Sequence, residues 1–195
     1  MKADRAVRRF EWLREENRGW EIGGKTVGII GFGHTGSAVA RRLRGFECEL
    51  LAYDKYKPQI EDDHVKSVDL GEIFEKSDIL TLHIPLTDET RGWVDDHFLN
   101  QFKKPIFFLN LARGPIVQLD ALVGALDDGR VKGAGLDVLI NEKLQTLTPE
   151  QKALYENLFS RENVILTPHI GGWTVESLDN INRMILAFVN ALIEG

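Results

Sequence analysis

The sequence has few of the features that place a protein outside the cell or in a membrane. Its 195 residues include one cysteine, Cys48, so no disulfide can form within the chain. No apolar run approaches the roughly 20 residues that span a bilayer. The charged amino terminus also lacks the apolar segment of a secretory signal. Together these absences predict a cytoplasmic protein.

An excess of basic residues is missing as well. Lysine and arginine total 24 against 30 aspartates and glutamates, giving a formal charge of −6, which disfavours binding to nucleic acid or to an anionic membrane. The length suits one well-buried domain, and no repeat or linker divides the chain. The sequence therefore predicts a single domain, residues 1–195, that acts on small molecules.

Short apolar runs alternate with helix-length amphipathic segments along most of the chain. This alternation is typical of an α/β fold, a doubly wound parallel sheet with helices on both faces. We expect about six or seven strands, among them 26–30, 49–53, 79–83, 106–109, 133–138 and 164–166. Predicted helices are 34–44, with Ala38, Val39 and Leu43 on its apolar face, 70–76, 95–102, 119–127 and one within 143–158.

Helices are also predicted at both ends of the chain. Residues 3–18, within an entering segment 1–20, suggest a solvated helix, and a last helix over 174–193 has Thr174 as a plausible N-cap. Apolar residues three or four apart form a stripe on the last helix: Leu178, Ile181, Ile185, Phe188 and Leu192. Near the amino terminus, Phe10, Trp12, Leu13 and Trp20 either join a subunit interface or pack within the monomer.

A glycine-rich turn, Gly31-Phe32-Gly33-His34-Thr35-Gly36, follows the first predicted strand and opens a helix. The G-x-G-x-x-G string alone is a weak signal, but this context is that of a dinucleotide site. The first glycine permits a tight turn, the second lets a pyrophosphate approach the backbone, and the third lets helix and strand pack closely. Free N–H groups at the helix start favour the anion.

An acidic residue, Asp54, ends the second strand 18 residues after Gly36. This spacing is typical of the carboxylate that binds the ribose hydroxyls of NAD and repels the 2′-phosphate of NADP. Lys55 and Lys57 soften that preference. The alternative is that Asp54 only caps a turn before a charged loop.

Three further residues follow strand ends, where ligands of such sheets bind. His169 precedes Gly171 and Gly172, and a histidine suits proton exchange near neutral pH. Arg113 is either a carboxylate-binding fork or a solvated loop residue. Glu142 would fix the tautomer of His169 if the two met, although position alone favours a solvated surface glutamate.

These segments together resemble the D-isomer-specific 2-hydroxyacid dehydrogenases. The resemblance runs from Gly19 onward in the family's order, on blocks 31–54, 82–87, 110–117, 133–142 and 166–174. It implies an NAD-binding domain of Rossmann type that forms homodimers. Block 169–174 is most similar to the D-3-phosphoglycerate dehydrogenase branch, with glyoxylate or hydroxypyruvate reductases as the alternative.

The resemblance also implies roles for individual residues. Arg113 would bind the substrate's carboxylate and carbonyl oxygen, while His169, paired with Glu142, would exchange the alcohol proton as hydride passes between substrate C2 and the nicotinamide. Cofactor contacts would come from His34 and Thr35 on the pyrophosphate, Asp54 on the ribose, Leu111, Ala112 and Asp137 near the nicotinamide, and Gly171 and Gly172.

Two departures from the family pattern stand out. Lys143 follows Glu142 where the family usually has proline, and the family's substrate-binding half is not part of this sequence. We therefore expect the chain to bind NAD but to turn over poorly by itself. A rival interpretation is a dehydrogenase-like module that uses NAD to control assembly. A formate-oxidising relative is disfavoured, because that branch carries glutamine where Glu142 stands.

Overall fold

A seven-stranded parallel sheet forms the centre of the molecule. The structure is a computed structural model that describes residues 2–194. Residues 1 and 195, the ends of the predicted domain, lie outside the described residues. The strand order is β3-β2-β1-β4-β5-β6-β7. The strands are β1 Thr26–Ile30, β2 Glu49–Tyr53, β3 Lys66–Ser67, β4 Ile79–Leu82, β5 Ile106–Asn110, β6 Val131–Leu136 and β7 Val164–Leu166.

Helices cover both faces of the sheet. In β1, Val27 and Ile29 belong to the same apolar cluster as Ala40 of the helix that follows. The next residue, Ile30, points to the opposite face and joins the larger cluster around Ile73. The helices are α1 Lys2–Arg8, α2 His34–Leu43, α3 Leu70–Lys76, α4 Asp96–Asn100, α5 Leu119–Asp127, α6 Pro149–Phe159 and α7 Val175–Glu194. The prediction of a doubly wound α/β sheet is confirmed.

Several predicted boundaries shift for local reasons. Asp95 is not helical but caps α4, since its carboxylate accepts the Phe98 N–H at 2.7 Å. Strand β6 covers 131–136 rather than 133–138, because Val131 enters the core as soon as the chain leaves the preceding turn. The two-residue edge strand β3 was not predicted, since its Lys66 and Ser67 are polar and lack a strand pattern.

The buried side of α2 also differs from the expectation. Gly36 and Ala40 are its buried residues, whereas the predicted Ala38 and Val39 are only partly buried. Small residues let α2 approach β1 closely, because neither carries a branched side chain into the gap. The helix therefore contacts the sheet through its smallest residues.

The predicted helix over residues 3–18 is wrong, because α1 ends at Arg8. Phe10 adopts a left-handed backbone conformation with φ of 63°. The N–H of Glu11 bonds to the Ala6 carbonyl at 3.0 Å and that of Phe10 to the Val7 carbonyl at 3.0 Å. This pair of bonds is the Schellman motif, which terminates helices.

The exposed aromatics of the amino-terminal segment divide into two groups. The Trp20 ring lies 5.6 Å from that of Phe107 on β5, so Trp20 packs within the chain. Phe10 and Trp12, by contrast, are 100% and 83% exposed. Trp20 therefore has a ring contact within the monomer, while 72% of the residue remains exposed.

The last helix begins where the sequence predicts, but its apolar face is exposed. Thr174 is its N-cap, since the Ser177 N–H donates to Thr174 Oγ1 at 3.0 Å. The predicted apolar stripe is exposed along its length, from Leu178 to Leu192. Among residues 2–194, no helix combines the length and hydropathy of a membrane span.

Candidate active site and cofactor cleft

The strand order reverses between β1 and β4, and the crevice at the carboxyl ends of these two strands is where doubly wound sheets bind ligands. The glycine turn follows β1, and His83 follows β4. A cavity of about 510 Å³ extends from Gly31 and Gly33 to Asp54. A second cavity, of about 450 Å³, continues past His34 and Thr35 to Leu111, Ala112 and Arg113.

The glycine turn is built to receive a phosphate group. Gly31 has a φ of +93°, and a Cβ on Gly36 would lie 2.0 Å from the Gly31 carbonyl oxygen, so α2 packs directly on the turn. A Cβ on Gly33 would meet no atom within 4 Å. Gly33 thus faces open space at the start of α2, where a pyrophosphate fits against free backbone N–H groups.

Asp54 fastens the turn to the end of β2. Its Oδ2 accepts the Phe32 N–H at 2.7 Å, and its Oδ1 accepts the Tyr56 N–H at 2.9 Å. The carboxylate also lines the larger cavity. These two bonds orient it, and each oxygen keeps accepting capacity for a ligand hydroxyl. The turn-capping alternative and the ribose-binding interpretation are therefore compatible with one geometry.

Two lysines beside Asp54 have partners within the chain. Lys55 Nζ lies 2.5 Å from Glu89 Oε2 across the cavity. The hydrogen bond and charge of Glu89 raise the pKa of Lys55 above its ordinary value. Lys57 Nζ donates to the Phe32 carbonyl at 3.1 Å. Neither pairing follows from the sequence.

His83 lines both cavities, although its sequence position gave little reason to single it out. Its Nε2 lies 3.0 Å from Thr81 Oγ1, and its Nδ1 is buried with no hydrogen-bond partner among residues 2–194. Burial lowers the pKa of His83 to about 4. The ring is consequently neutral at physiological pH.

Arg113 stands on a loop that the last residue of β5 holds in place. Asn110, 1% exposed, accepts the Ala112 N–H at 3.0 Å through Oδ1 and donates from Nδ2 to the Arg113 carbonyl at 3.1 Å. A Cβ on Gly114 would lie 2.0 Å from the Leu139 backbone, so this loop packs against the loop after β6. Sequence reasoning missed the role of Asn110, although a polar residue ending an apolar strand is a usable signal.

Glu142 and His169, which lie far apart in the sequence, meet in the structure. His169 Nδ1 is 3.0 Å from Glu142 Oε1, with about half of each side chain exposed. His169 has a left-handed backbone, with φ of 57°. The carboxylate orients the imidazole and leaves Nε2 free to face a substrate, an arrangement suited to general acid–base chemistry.

Asp137, which the resemblance places near the nicotinamide, holds the loop that carries His169. Its Oδ1 accepts the Thr167 hydroxyl and the Ile170 N–H, its Oδ2 accepts the Gly171 N–H at 2.7 Å, and its backbone carbonyl accepts the His169 N–H at 2.8 Å. Burial raises the pKa of this carboxyl, but the three side-chain bonds outweigh burial and lower it overall. Asp137 stabilises the conformation of residues 167–171.

Comparisons with known proteins bear on this cleft. The family model described as the NAD-binding domain of the D-isomer-specific 2-hydroxyacid dehydrogenases matches residues 1–171. The chain belongs to this family. Membership confirms the resemblance seen in the sequence and makes NAD the cofactor of this domain.

Individual relatives are similar over the whole domain. Glyoxylate reductase of Pyrococcus furiosus is 37% identical over 100% of this chain and 58% of its own length. Hydroxypyruvate reductase of Thermotoga maritima is 36% identical over 90% of this chain and 55% of its own length. A crystal structure of D-lactate dehydrogenase from Aquifex aeolicus, complexed with NAD and lactic acid, superposes with a TM-score of 0.86 at 28% identity, covering 100% of this chain and 61% of that one. The chain therefore spans less than two thirds of the length of each of these relatives.

Proposed function

We propose that this chain supplies the NAD site and the catalytic residues for hydride transfer between NAD and a small 2-hydroxy or 2-oxo acid. The observation that carries the proposal is the contact between His169 and Glu142 at 3.0 Å, formed by residues 27 positions apart that the family pattern pairs. The proposal applies to the whole protein in which the domain works, since the relatives are longer.

NAD fits the cleft along its length. The open space at Gly33, with His34 and Thr35 beside it, takes the pyrophosphate, and Asp54 takes the adenosine ribose hydroxyls. Leu111 and Ala112 lie toward the nicotinamide end, with Gly171 and Gly172 on the facing loop. Bound there, NAD supplies the hydride acceptor or donor.

Arg113 binds the acid group of the substrate in this proposal. A guanidinium matches a carboxylate with two parallel hydrogen bonds, and this arginine follows β5 directly at the wall of the nicotinamide-end cavity. Its Nη1 donates to the Ala112 carbonyl at 2.7 Å, which orients the fork. The remaining N–H groups are available to substrate oxygens.

His169 exchanges the proton. As alcohol is oxidised, the imidazole accepts the hydroxyl proton, and Glu142 stabilises the imidazolium that forms. In reduction, the same ring returns the proton to the carbonyl oxygen. Asp137 keeps the His169 loop in place during both directions.

Two candidate substrates follow from the proposal and from the relatives of this chain. Relatives that are glyoxylate or hydroxypyruvate reductases favour a short 2-oxo acid such as glyoxylate or hydroxypyruvate. A phosphorylated 2-hydroxy acid, 3-phosphoglycerate, is the second candidate, favoured by the similarity of residues 169–174 to that branch. A panel containing glyoxylate, hydroxypyruvate, pyruvate and 3-phosphoglycerate, assayed by NADH absorbance, discriminates them.

The decisive experiment compares H169A, E142Q and R113A with the unmodified protein. In the complete enzyme, H169A should abolish turnover and keep NAD affinity, because the histidine acts on the substrate proton. R113A should raise KM most strongly, and E142Q should lower kcat. Loss of NAD binding in H169A, or unchanged turnover, would contradict the assignment. The 195-residue chain itself should bind NAD and turn over weakly, since the family's substrate-binding half also closes the cleft against water.

The proposal includes a cytoplasmic homodimer. Phe10 and Trp12 present fully or mostly exposed aromatic surface, of a kind enriched in protein interfaces. Light scattering after gel filtration tests the stoichiometry directly. A dimer that becomes a monomer in W12S supports this surface as the interface, and a monomeric unmodified chain contradicts it.

A further inference from the structure

The adenosine end of the cleft holds two lysines that a preference for NAD leaves unexplained. Lys55 directly follows Asp54, the acid expected to bind the ribose, and Lys57 is two residues further on. In sheets of this type a cation near that acid accommodates the 2′-phosphate of NADP. The sequence by itself therefore points in two directions at this position.

In the structure each ammonium group has a partner other than a ligand. Lys57 donates to the Phe32 carbonyl at 3.1 Å, and this bond ties it to the glycine turn. Lys55 makes an ion pair of 2.5 Å with Glu89. Glu89 belongs to the segment after β4, on the opposite wall of the cleft, and both residues line the 510 Å³ cavity together with Asp54.

We propose that Glu89 is a second determinant of cofactor preference, which favours NAD by holding Lys55 in an ion pair across the adenosine end. The inference rests on the proposed site in which Asp54 binds the ribose hydroxyls. Beside a 2′-phosphate, Glu89 has two effects: it adds a negative charge to that of Asp54, and it pairs with the Lys55 ammonium that the phosphate would otherwise attract. The 2′-hydroxyl of NAD carries no charge and meets neither penalty.

The geometry supports a local effect rather than a general surface charge. Lys55 Nζ also lies 5.7 Å from the centre of the Tyr56 ring, which further limits where the ammonium can go. Asp88 and Glu89 are both exposed, but only Glu89 of the two lines the cavity. Asp88 therefore provides a matched control with the same change of charge.

The test measures the dissociation constants of NAD and NADP by calorimetry for the unmodified chain, E89Q, D88N, K55Q and the double variant K55Q/E89Q. In E89Q the ratio of the NADP constant to the NAD constant should fall about fivefold, the scale of one exposed charge pair. D88N should change the ratio less than twofold. The double variant should lose the gain of E89Q, because it removes the lysine together with the carboxylate and so restores the net charge of the pair.

Salt provides a second readout. The gain in E89Q should shrink as ionic strength rises, since exposed charges are screened over about 10 Å at 0.1 M. Equal ratios in E89Q and D88N would overturn the inference, and so would a gain that persists in K55Q/E89Q.

Failure of this inference can be separated from failure of the proposed site by D54A. If D54A leaves NAD affinity unchanged, the ribose assignment itself is wrong. If D54A weakens NAD binding while E89Q leaves the ratio unchanged, only the role of Glu89 is wrong. Each variant replaces an exposed or partly exposed side chain, and thermal denaturation of each verifies that it folds.

Discussion

Single residues at the glycine turn decide whether a phosphate can approach. Gly36 and Gly33 lie three positions apart in one motif, yet their surroundings are opposite. A Cβ on Gly36 would lie 2.0 Å from a backbone oxygen, whereas a Cβ on Gly33 would meet open space. Gly36 is needed for the packing of α2 on the turn, and Gly33 is needed for the approach of the ligand. This distinction gives each position its own experimental signature.

Replacing these glycines by alanine should separate folding from binding. G36A should lower the free energy of unfolding by about 1–3 kcal/mol, because the helix must move away from the turn, and NAD affinity should fall with it. G33A should keep its stability and lose NAD affinity about tenfold or more, because the methyl group occupies space that the pyrophosphate needs. Urea denaturation and calorimetry measure the two quantities. Equal stability of G36A and the unmodified chain would show that the close approach is wrong.

His83 should make the domain sensitive to mild acid. Its pKa in the folded state is lowered to about 4 by burial, while an exposed histidine titrates near 6.5. Between these values the unfolded chain binds the extra proton, so stability falls as pH drops from about 6.5 to about 4, by up to about 3 kcal/mol. H83N, which can still bond to Thr81, should lack this component. Urea denaturation at several pH values tests it, and identical slopes for both proteins would contradict it.

At the scale of elements, the site depends on loops that strand ends bring together. The loop after β7 carries His169 in a left-handed conformation, and Asp137 at the end of β6 accepts hydrogen bonds from three of its residues. Asn110 at the end of β5 holds the loop of Arg113 by accepting the Ala112 N–H and donating to the Arg113 carbonyl. A buried polar residue at the end of β5 and another after β6 thus fix the loops that carry Arg113 and His169, the residues proposed to be catalytic.

Replacing Asp137 should therefore loosen the His169 loop without removing the histidine that is proposed to exchange the proton. In D137N an amide replaces an acceptor oxygen, so the Ile170 and Gly171 N–H groups lose part of their bonding. Their hydrogen exchange should speed up about tenfold, the scale of one hydrogen bond to a charged group. T167V, which removes only the hydroxyl donor, should have a smaller effect. Protection of these amides equal to that in the unmodified chain would show that Asp137 does not hold the loop.

The same carboxylate has a consequence for acid stability. Because the pKa of Asp137 is lower in the folded state than its ordinary value, its contribution is present above the unfolded pKa of about 4 and is lost as pH falls through the folded value. The loop should accordingly open at acidic pH before the central strands do.

At the scale of the whole molecule, a buried sheet interior lies next to an open cleft. The central strands are buried from both faces, while the crevice between β1 and β4 stays open for a ligand. The long helix α7 leaves an apolar face exposed, and the relatives are considerably longer than this domain. The interior of the sheet is thus buried, whereas the cleft and the apolar face of α7 are exposed.

Binding of NAD should stabilise the whole sheet. A ligand that binds only the folded state at 100 times its dissociation constant adds about 2.7 kcal/mol, or a rise in Tm of roughly 5–10 °C for a domain of this size. Differential scanning fluorimetry measures the shift, with D54A as the control in which it should shrink. No shift at saturating NAD would contradict cofactor binding by the domain.

Much of the architecture could be predicted from the sequence because it depends on local patterns. The strand 26–30, the turn 31–36 and Asp54 follow from burial periodicity and from the backbone freedom of glycine, which neighbouring residues specify. The resemblance to the family added the pairing of Glu142 with His169. The end of α1 was missed, since a phenylalanine in the left-handed region gives no local signal.

Only the tertiary structure decided which side chains meet across the cleft. The bond between Lys55 and Glu89, the contact between Trp20 and Phe107, and the hydrogen bonds of Asp137 join segments distant in sequence. Each depends on the order in which parallel strands lie side by side, which sets the loops that converge at one edge. The sequence by itself determined that a dinucleotide cleft exists, because a glycine turn and an acid at fixed spacing suffice. The pairing of charges in the cleft and the conformation of the His169 loop arise from long-range contacts, which no local pattern encodes.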